Sequence, residues 1–203
     1  MVVTFMNLHF SNDHDFHDFT IELKNRLASR PLRELDRPSL RASAVMMLIM
    51  EKDNEAQVLL TKRTSKVGTH KGDMSFPGGT RDEEDKNLLA TALRETREEV
   101  GIAPEDIEVL GEFDHFMSIA GFHVSTFIGI IPYPCAYTVS EDEIEACVEV
   151  PLHLFRDKKF DKKQEIEFEG DRYNIYHYYY GSYEIWGLTA RILTDFGTKI
   201  LAP

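Results

Sequence analysis

Cysteine is scarce in this 203-residue chain: Cys135 and Cys147 are its two thiols, with no Cys-x-x-Cys pair and no paired histidines at zinc-ligand spacing. That argues against a disulfide framework or a structural zinc and fits a reducing compartment. Long apolar runs are also missing. The N-terminal stretch MVVTFMNLHFSNDHDF is broken by Asn, His and Asp before it reaches signal-peptide length, and no later run is long enough to span a bilayer. The C-terminal ILAP is not a peroxisomal address. Cytoplasmic residence without a membrane partner is the expectation. Positive charge is short as well, with 23 Lys+Arg against 35 Asp+Glu for a net −12. Broad nucleic-acid binding needs clustered Lys and Arg to release counterions, and anionic lipid repels an acidic surface, so neither partner is expected. A phosphate compound stays compatible if carboxylates hold a divalent cation that reverses the sign locally.

What is present is enough apolar material for a core. With 42% hydrophobic residues against 29% charged, the length fits one domain with an appendage. Phe19, Leu23 and Leu27 recur every four positions and Pro31 ends the pattern, which predicts a short amphipathic helix over Asp18 to Leu27. We read residues 1–39 as an N-terminal helical appendage and residues 40–203 as the main domain. Arg41 to Glu51 is nearly continuous in apolar residues and reads as a buried strand, and KDNEA turns the chain into a second strand, Gln57 to Arg63. Thr64 to Gly79, closing on Phe76-Pro77-Gly78-Gly79, is a loop long enough to be functional. A helix is expected from about Asn87 to Val100, with Leu89, Ala92, Leu93, Thr96 and Val100 as its core stripe and Gly101 as a left-handed cap. Beyond Pro104, strands are expected at Ile107–Phe116, Val124–Tyr133, Glu143–Val150, Glu165–Phe168, Tyr173–Tyr180 and Tyr183–Trp186, with a helical turn at Pro151–Phe155 and a closing helix at Leu188–Phe196. Mixed strands with few helices and no repeat predict an α/β or α+β layered domain.

The densest chemical signal is Arg94-Glu95-Thr96-Arg97-Glu98-Glu99-Val100-Gly101-Ile102. At roughly 100° per residue, Glu95 and Glu99 lie about 40° apart and Glu98 about 60° from Glu95 on the other side. Three carboxylates so gathered repel one another unless a cation sits among them, and Mg²⁺ or Mn²⁺ takes oxygen ligands. Taken alone, the helix reads more simply as a solvated acidic face paired by Arg94 and Arg97. The glycine-rich turn in front of it changes that balance, because backbone N–H groups at Gly78 and Gly79 can face a phosphate.

The segment Gly79 to Ile102 resembles a Nudix box, G-x5-E-x7-R-E-U-x-E-E-x-G-U with U a bulky aliphatic residue. Arg94, Glu95, Glu98, Glu99, Gly101 and Ile102 match; Thr96 replaces the aliphatic residue, and Asp85 fills the acidic position with eight residues before Arg94. Upstream, Leu59-Leu60-Thr61-x-Arg63, Gly72 and Phe76-Pro77-Gly78-Gly79 are similar to the signature L-L-T-x-R-[SA]-x3-R-x3-G-x3-F-P-G-G of the coenzyme A pyrophosphatase branch, which also has the longer box with aspartate. Thr64 stands where that signature has Ser or Ala, and Gly68 where it has a second arginine; Lys66, His70 and Lys71 are the nearby substitutes. Gly121-Phe122 with Phe127 and Gly129, Asp142-Glu143-Ile144 with Glu149 to Leu152, and Ile185 to Leu193 are similar to the branch too, so the resemblance spans about residues 40 to 195.

The resemblance implies an α/β/α sandwich with a mixed sheet and a metal-dependent pyrophosphatase. On these residues, Glu95, Glu98 and Glu99 would hold Mg²⁺ or Mn²⁺, and Arg94 would orient the glutamates. Glu98, or failing it Glu143, would be the general base, and Arg63, Lys71, Phe76, Gly78 and Gly79 would contact the substrate. Coenzyme A or its thioesters would yield 3′,5′-ADP and (acyl-)4′-phosphopantetheine. The glycine at position 68 keeps another nucleoside diphosphate derivative open, whether nucleotide sugar, ADP-ribose or dinucleotide. A non-catalytic nucleotide-sensing module is opposed by the three intact glutamates.

Elsewhere, Asp13 to Asp18 reads as a solvated helix-capping segment in preference to a metal cluster. His115 and His123 read as ordinary surface or half-buried histidines. The tyrosines from Tyr173 to Tyr183 offer faces on which an adenine could stack, but read more simply as half-buried strand residues, with a homodimer surface as the secondary alternative.

Overall fold

The central strand β1 (Arg41–Lys52) shows why its sequence is apolar at nearly every position. Successive side chains of a strand point to opposite faces. Met46, Leu48 and Met50 enter one core cluster, whereas Met47 and Ile49 enter another on the far side of the sheet. A strand covered on both faces has no position to spare for a polar residue. The structure is a computed structural model describing residues 5–64, 72–168 and 171–202.

Around β1 a seven-stranded mixed sheet is assembled. β2 (Glu55–Arg63) pairs antiparallel with β1 over Ile49 to Lys52. It continues past β1 to pair with β3 (Met74–Ser75), and β4 (Gly78–Thr80) takes the place it vacates, pairing antiparallel with Ser43 to Val45. On the other edge β1 runs parallel to β6 (Phe122–Ile130), which pairs antiparallel with β5 (Glu108–Ser118). β7 (Ile144–Pro151) pairs with β2. One face is covered by α2 (Leu88–Val100), the other by α1 (Asp13–Ala28) and α4 (Gly187–Phe196), giving three layers. A short helix α3 (His153–Arg156) precedes a separate antiparallel sheet of β8 (Lys162–Phe168), β9 (Asp171–Tyr180) and β10 (Tyr183–Ile185). Among the described residues no helix is long and apolar enough to cross a membrane.

α2 begins and ends where its sequence says it should. The Asn87 side chain accepts a hydrogen bond from the Ala90 N–H (2.9 Å), and Gly101 closes the helix at φ 76°. Thr96 replaces an aliphatic residue at no polar cost, because its hydroxyl is buried and donates to the Ala92 carbonyl at 2.7 Å.

The N-terminal segment is more closely joined to the domain than an appendage suggests. α1 starts five residues before Asp18, at Asp13, with the Asn12 side chain capping His14 and Asp15, so the acidic run from Asp13 is helix. Phe19, Leu23 and Leu27, with Met6, Leu8 and Phe10, lie in the same core cluster as α4 and the sheet. A four-residue periodicity reveals an apolar face and is silent about what covers it.

An ion cluster fastens the join. Asp114 on β5 is 1% exposed and is bound by Arg30, by the Arg33 N–H (3.2 Å) and by Lys199 Nζ (2.9 Å). Burial opposes its charge, but Arg30 and Lys199 outweigh it and hold the carboxyl below its ordinary value. A depressed carboxyl pKa contributes stability above the unfolded value, near 3.9, and loses it as pH falls through the folded value. Asp114→Asn is therefore expected to cost about 3 kcal/mol at pH 7 in urea denaturation, with the difference shrinking below about pH 4.

Candidate active site

Where β2 leaves β1, the FPGG turn enters the sheet and α2 lies over it. Glu99, 2% exposed, accepts a hydrogen bond from the Gly78 N–H at Oε2 (3.1 Å) and faces Arg63 Nη1 at Oε1 (3.4 Å). Gly78 has φ +151°, and a Cβ there would stand 2.3 Å from the Ala44 carbonyl oxygen. Gly79 is needed for another reason: its Cβ would stand 2.5 Å from the Glu95 carboxyl carbon. The turn is glycine because backbone and carboxylate occupy the space of two side chains.

Arg94 anchors the carboxylates from below. Its Nε and Nη2 bind the two oxygens of Asp85 (3.1 and 2.9 Å), Nη2 also reaches the Thr80 carbonyl (3.2 Å), and Nη1 binds both Glu95 and Glu98 (2.9 Å each). Hydrogen bonding to Arg94 holds the Asp85 carboxyl far below the usual carboxylate range. The aspartate of the lengthened box is thus the fixed end of a bidentate fork that sets the orientation of Arg94.

Electrostatically the site lacks positive charge. Burial pushes the Glu99 carboxyl up to about 7; the Gly78 N–H and Arg63 work against this, whereas Glu95 and Glu143 add repulsion. Burial also raises Glu95, opposed by Arg94 and reinforced by Glu98 and Glu143. A donor set made wholly of carboxylate oxygen, costly to ionise without a cation, fits a hard divalent ion.

Arg63, Gly78, Gly79, Glu95, Glu99 and Glu143 line one cleft of about 590 Å³. Its other wall is built from Met117, Ile119 and Phe122 around the β5–β6 turn, Tyr173 from β9, and Trp186 and Arg191 at and within α4. Their sequence signals are the branch-like segments at Gly121-Phe122 and Ile185 to Leu193, and, for Tyr173, the tyrosine run that could stack an adenine. Trp186 is held by its Nε1–H to Asp73 (3.2 Å) and by stacking on His177.

Three expected contacts differ. Glu98, its side chain 58% exposed, is tied to Arg94 and does not line the cleft. Phe76 is 3% exposed and packs in the core, so it anchors the turn instead of meeting a substrate. The Gly78 N–H points at Glu99, not at open space for a phosphate. Lys71 lies outside the described residues, as do Lys66, Gly68 and His70. His115 and His123 bind each other (2.9 Å), with His115 also on Glu112 (2.8 Å), and do not line the cleft. Among the described residues, the one group of three metal-ligating side chains with ligand atoms within 4.8 Å is His9, Glu55 and His153, with Glu55 at the opposite end of β2 from Arg63.

The family profile described as NUDIX domain matches residues 40–168. The uncharacterized Nudix hydrolase NudL of Enterobacter sp. (strain 638) is 34% identical over 186 residues, covering 91% of this chain and 96% of its own length. NudL of Cronobacter sakazakii (strain ATCC BAA-894) is 37% identical over 173 residues, covering 82% and 88%. A solved C. elegans Ap4A hydrolase in a binary complex is 18% identical, with a TM-score of 0.49 over 55% of this chain and 80% of its own. Enzymes of the family generally use divalent metal ions. With Gly79, Glu95 and Glu99 of the box lining one cleft and relatives matched over most of the chain, the protein belongs to the Nudix family and is a diphosphate hydrolase.

Proposed function

We propose that this Nudix hydrolase cleaves the diphosphate of coenzyme A or its thioesters, with Mg²⁺ or Mn²⁺, to 3′,5′-ADP and (acyl-)4′-phosphopantetheine. The observation that carries this reading is the two-sided cleft: carboxylates Glu95, Glu99 and Glu143 on one side, and an apolar wall of Met117, Ile119, Phe122 and Trp186 on the other. Such a cleft suits a ligand with a diphosphate at its middle and a slender, largely uncharged arm. The branch signature upstream of the box supports the same choice.

Glu95 and Glu99, with Glu98 beside them on Arg94, are the groups to hold the metal. When bound, it supplies neutralisation of the diphosphate charge and a lowered pKa for water. Arg94 keeps Glu95 and Glu98 in place through its fork on Asp85. Arg63, set against Glu99 at 3.4 Å, would meet a substrate oxygen. Glu143 lines the cleft, and its carboxylate makes no hydrogen bond or ion pair among the described residues, so it is the better placed acceptor for the proton of an attacking water. Glu98 is already committed to Arg94.

The glycine at position 68 favours a second reading, in which the substrate is ADP-ribose, a nucleotide sugar or a dinucleotide. An assay with Mg²⁺ or Mn²⁺ against coenzyme A, ADP-ribose, diadenosine polyphosphates and nucleotide sugars decides between them. Coenzyme A is expected to be turned over best, releasing 3′,5′-ADP. Turnover of the others without coenzyme A would overturn the proposal.

A further inference from the structure

Among its described lining residues the cleft carries two cations, Arg63 and Arg191. Arg63 is engaged by Glu99. Arg191, on α4, is held differently: its guanidinium lies over the rings of Tyr173 (5.0 Å) and Phe116 (5.8 Å), and no acceptor among the described residues engages it. Neighbouring acids are taken. Asp195, one turn further along α4, binds Lys199 (3.0 Å), and Asp114 binds Arg30 and Lys199. Two aromatic rings flank the guanidinium without using its five N–H donors. In a chain of net charge −12, an unneutralised guanidinium in the substrate cleft is a ready receptor for a phosphate.

The carboxylate side of the cleft can take a diphosphate only together with a cation. A further phosphate on the same ligand, beyond that cation's reach, needs a positive group of its own. We propose that Arg191 receives a phosphomonoester on the ribose of the bound nucleotide, namely the 3′-phosphate of coenzyme A. It would then separate coenzyme A from ADP-ribose and nucleotide sugars, which have no such group. The identity of the ligand rests on the function proposed above, whereas the anion site rests on the placement of Arg191. It also supplies, from α4, a cation that Gly68 cannot.

Calorimetric binding of 3′,5′-ADP and 5′-AMP to the full chain in Mg²⁺ tests this, with Arg191→Gln and Arg191→Lys alongside. The unsubstituted protein is expected to bind 3′,5′-ADP about tenfold or more tightly than AMP. Arg191→Gln should bring the two within about twofold while hardly moving the AMP value, and Arg191→Lys should keep part of the preference. Equal affinities in the unsubstituted protein overturn the proposal. Equal loss of both ligands in Arg191→Gln also overturns it, since that result marks a packing role on Tyr173 and Phe116. A gain for 2′,5′-ADP as large as that for 3′,5′-ADP overturns the 3′ assignment. Turnover of coenzyme A and dephospho-coenzyme A separates the two ideas. Preference for the bisphosphate with coenzyme A uncleaved keeps the Arg191 site and removes the substrate. Cleavage of both coenzymes with no bisphosphate preference does the reverse.

Discussion

Glu99→Gln is expected to stabilise the metal-free protein above neutral pH while removing its activity. The Glu99 carboxyl is raised from 4.5 to about 7, chiefly by burial. Between those values the native state holds a proton that the unfolded chain releases. The resulting contribution is fully present below 4.5 and is lost as pH rises through about 7. At pH 8 the native protein without metal must keep a buried anion, which glutamine avoids while still offering an oxygen to the Gly78 N–H. Losing the charge facing Arg63 offsets part of this gain, leaving about 2 kcal/mol. In urea denaturation with chelator, the variant should be more stable at pH 8 and level at pH 5. Added Mn²⁺ should reverse the order by stabilising only the unsubstituted protein. Because binding displaces the Glu99 proton, metal affinity of the unsubstituted protein should fall by up to about tenfold per pH unit below 7. The variant's kcat should fall about a thousandfold or more. A difference in stability independent of pH would remove burial of this carboxylate as the cause.

The adjacent glycines are expected to fail in opposite ways. A Cβ at Gly78 meets backbone, 2.3 Å from the Ala44 oxygen and 2.7 Å from the Val45 Cα, at a φ that L-residues avoid. Gly78→Ala should therefore cost about 3 kcal/mol or more, read as a lower midpoint in chemical denaturation. At Gly79 the obstacle is the mobile end of one side chain, Glu95. That carboxylate can move aside, so Gly79→Ala should fold with a loss of about 1 kcal/mol or less and a kcat lowered about a hundredfold. An unaltered rate in Gly79→Ala would mean that the close approach of Glu95 to the turn is not needed for catalysis.

Those two glycines also mark how far the sequence can be read. α2, its caps and the convergence of Glu95 with Glu99 follow from helical geometry over a few residues, and the structure has them. The alternation of Met46, Leu48 and Met50 with Met47 and Ile49 likewise follows from strand geometry, since β1 is covered on both faces. Phe76 was harder. An aromatic residue beside a glycine turn is compatible with a ligand contact or a core anchor, and only the packing against the core separates them. Glu98 and Glu143 show the same limit: three residues of one helix can be placed by angle, but the approach of a distant loop cannot. Tyr173, Trp186 and Arg191 come together across β9 and α4, a pairing that no local period encodes.

β4 pairs with Ser43 to Val45, and the backbone bonds from Met46 to Pro77 (2.9 Å) and from Arg81 to Ala42 (3.0 Å) bracket that pairing. The glycine turn beside the carboxylates is therefore itself part of the sheet, and it cannot open without breaking the ladder of the central strand. The facing wall has no such tether at Ile119, which stands 70% exposed on the β5–β6 turn. The two sides therefore differ in what a substitution can do. Substitutions at Ile119, Phe122, Tyr173 or Trp186 can alter which molecule is accepted while the carboxylates and their turn stay where the sheet holds them.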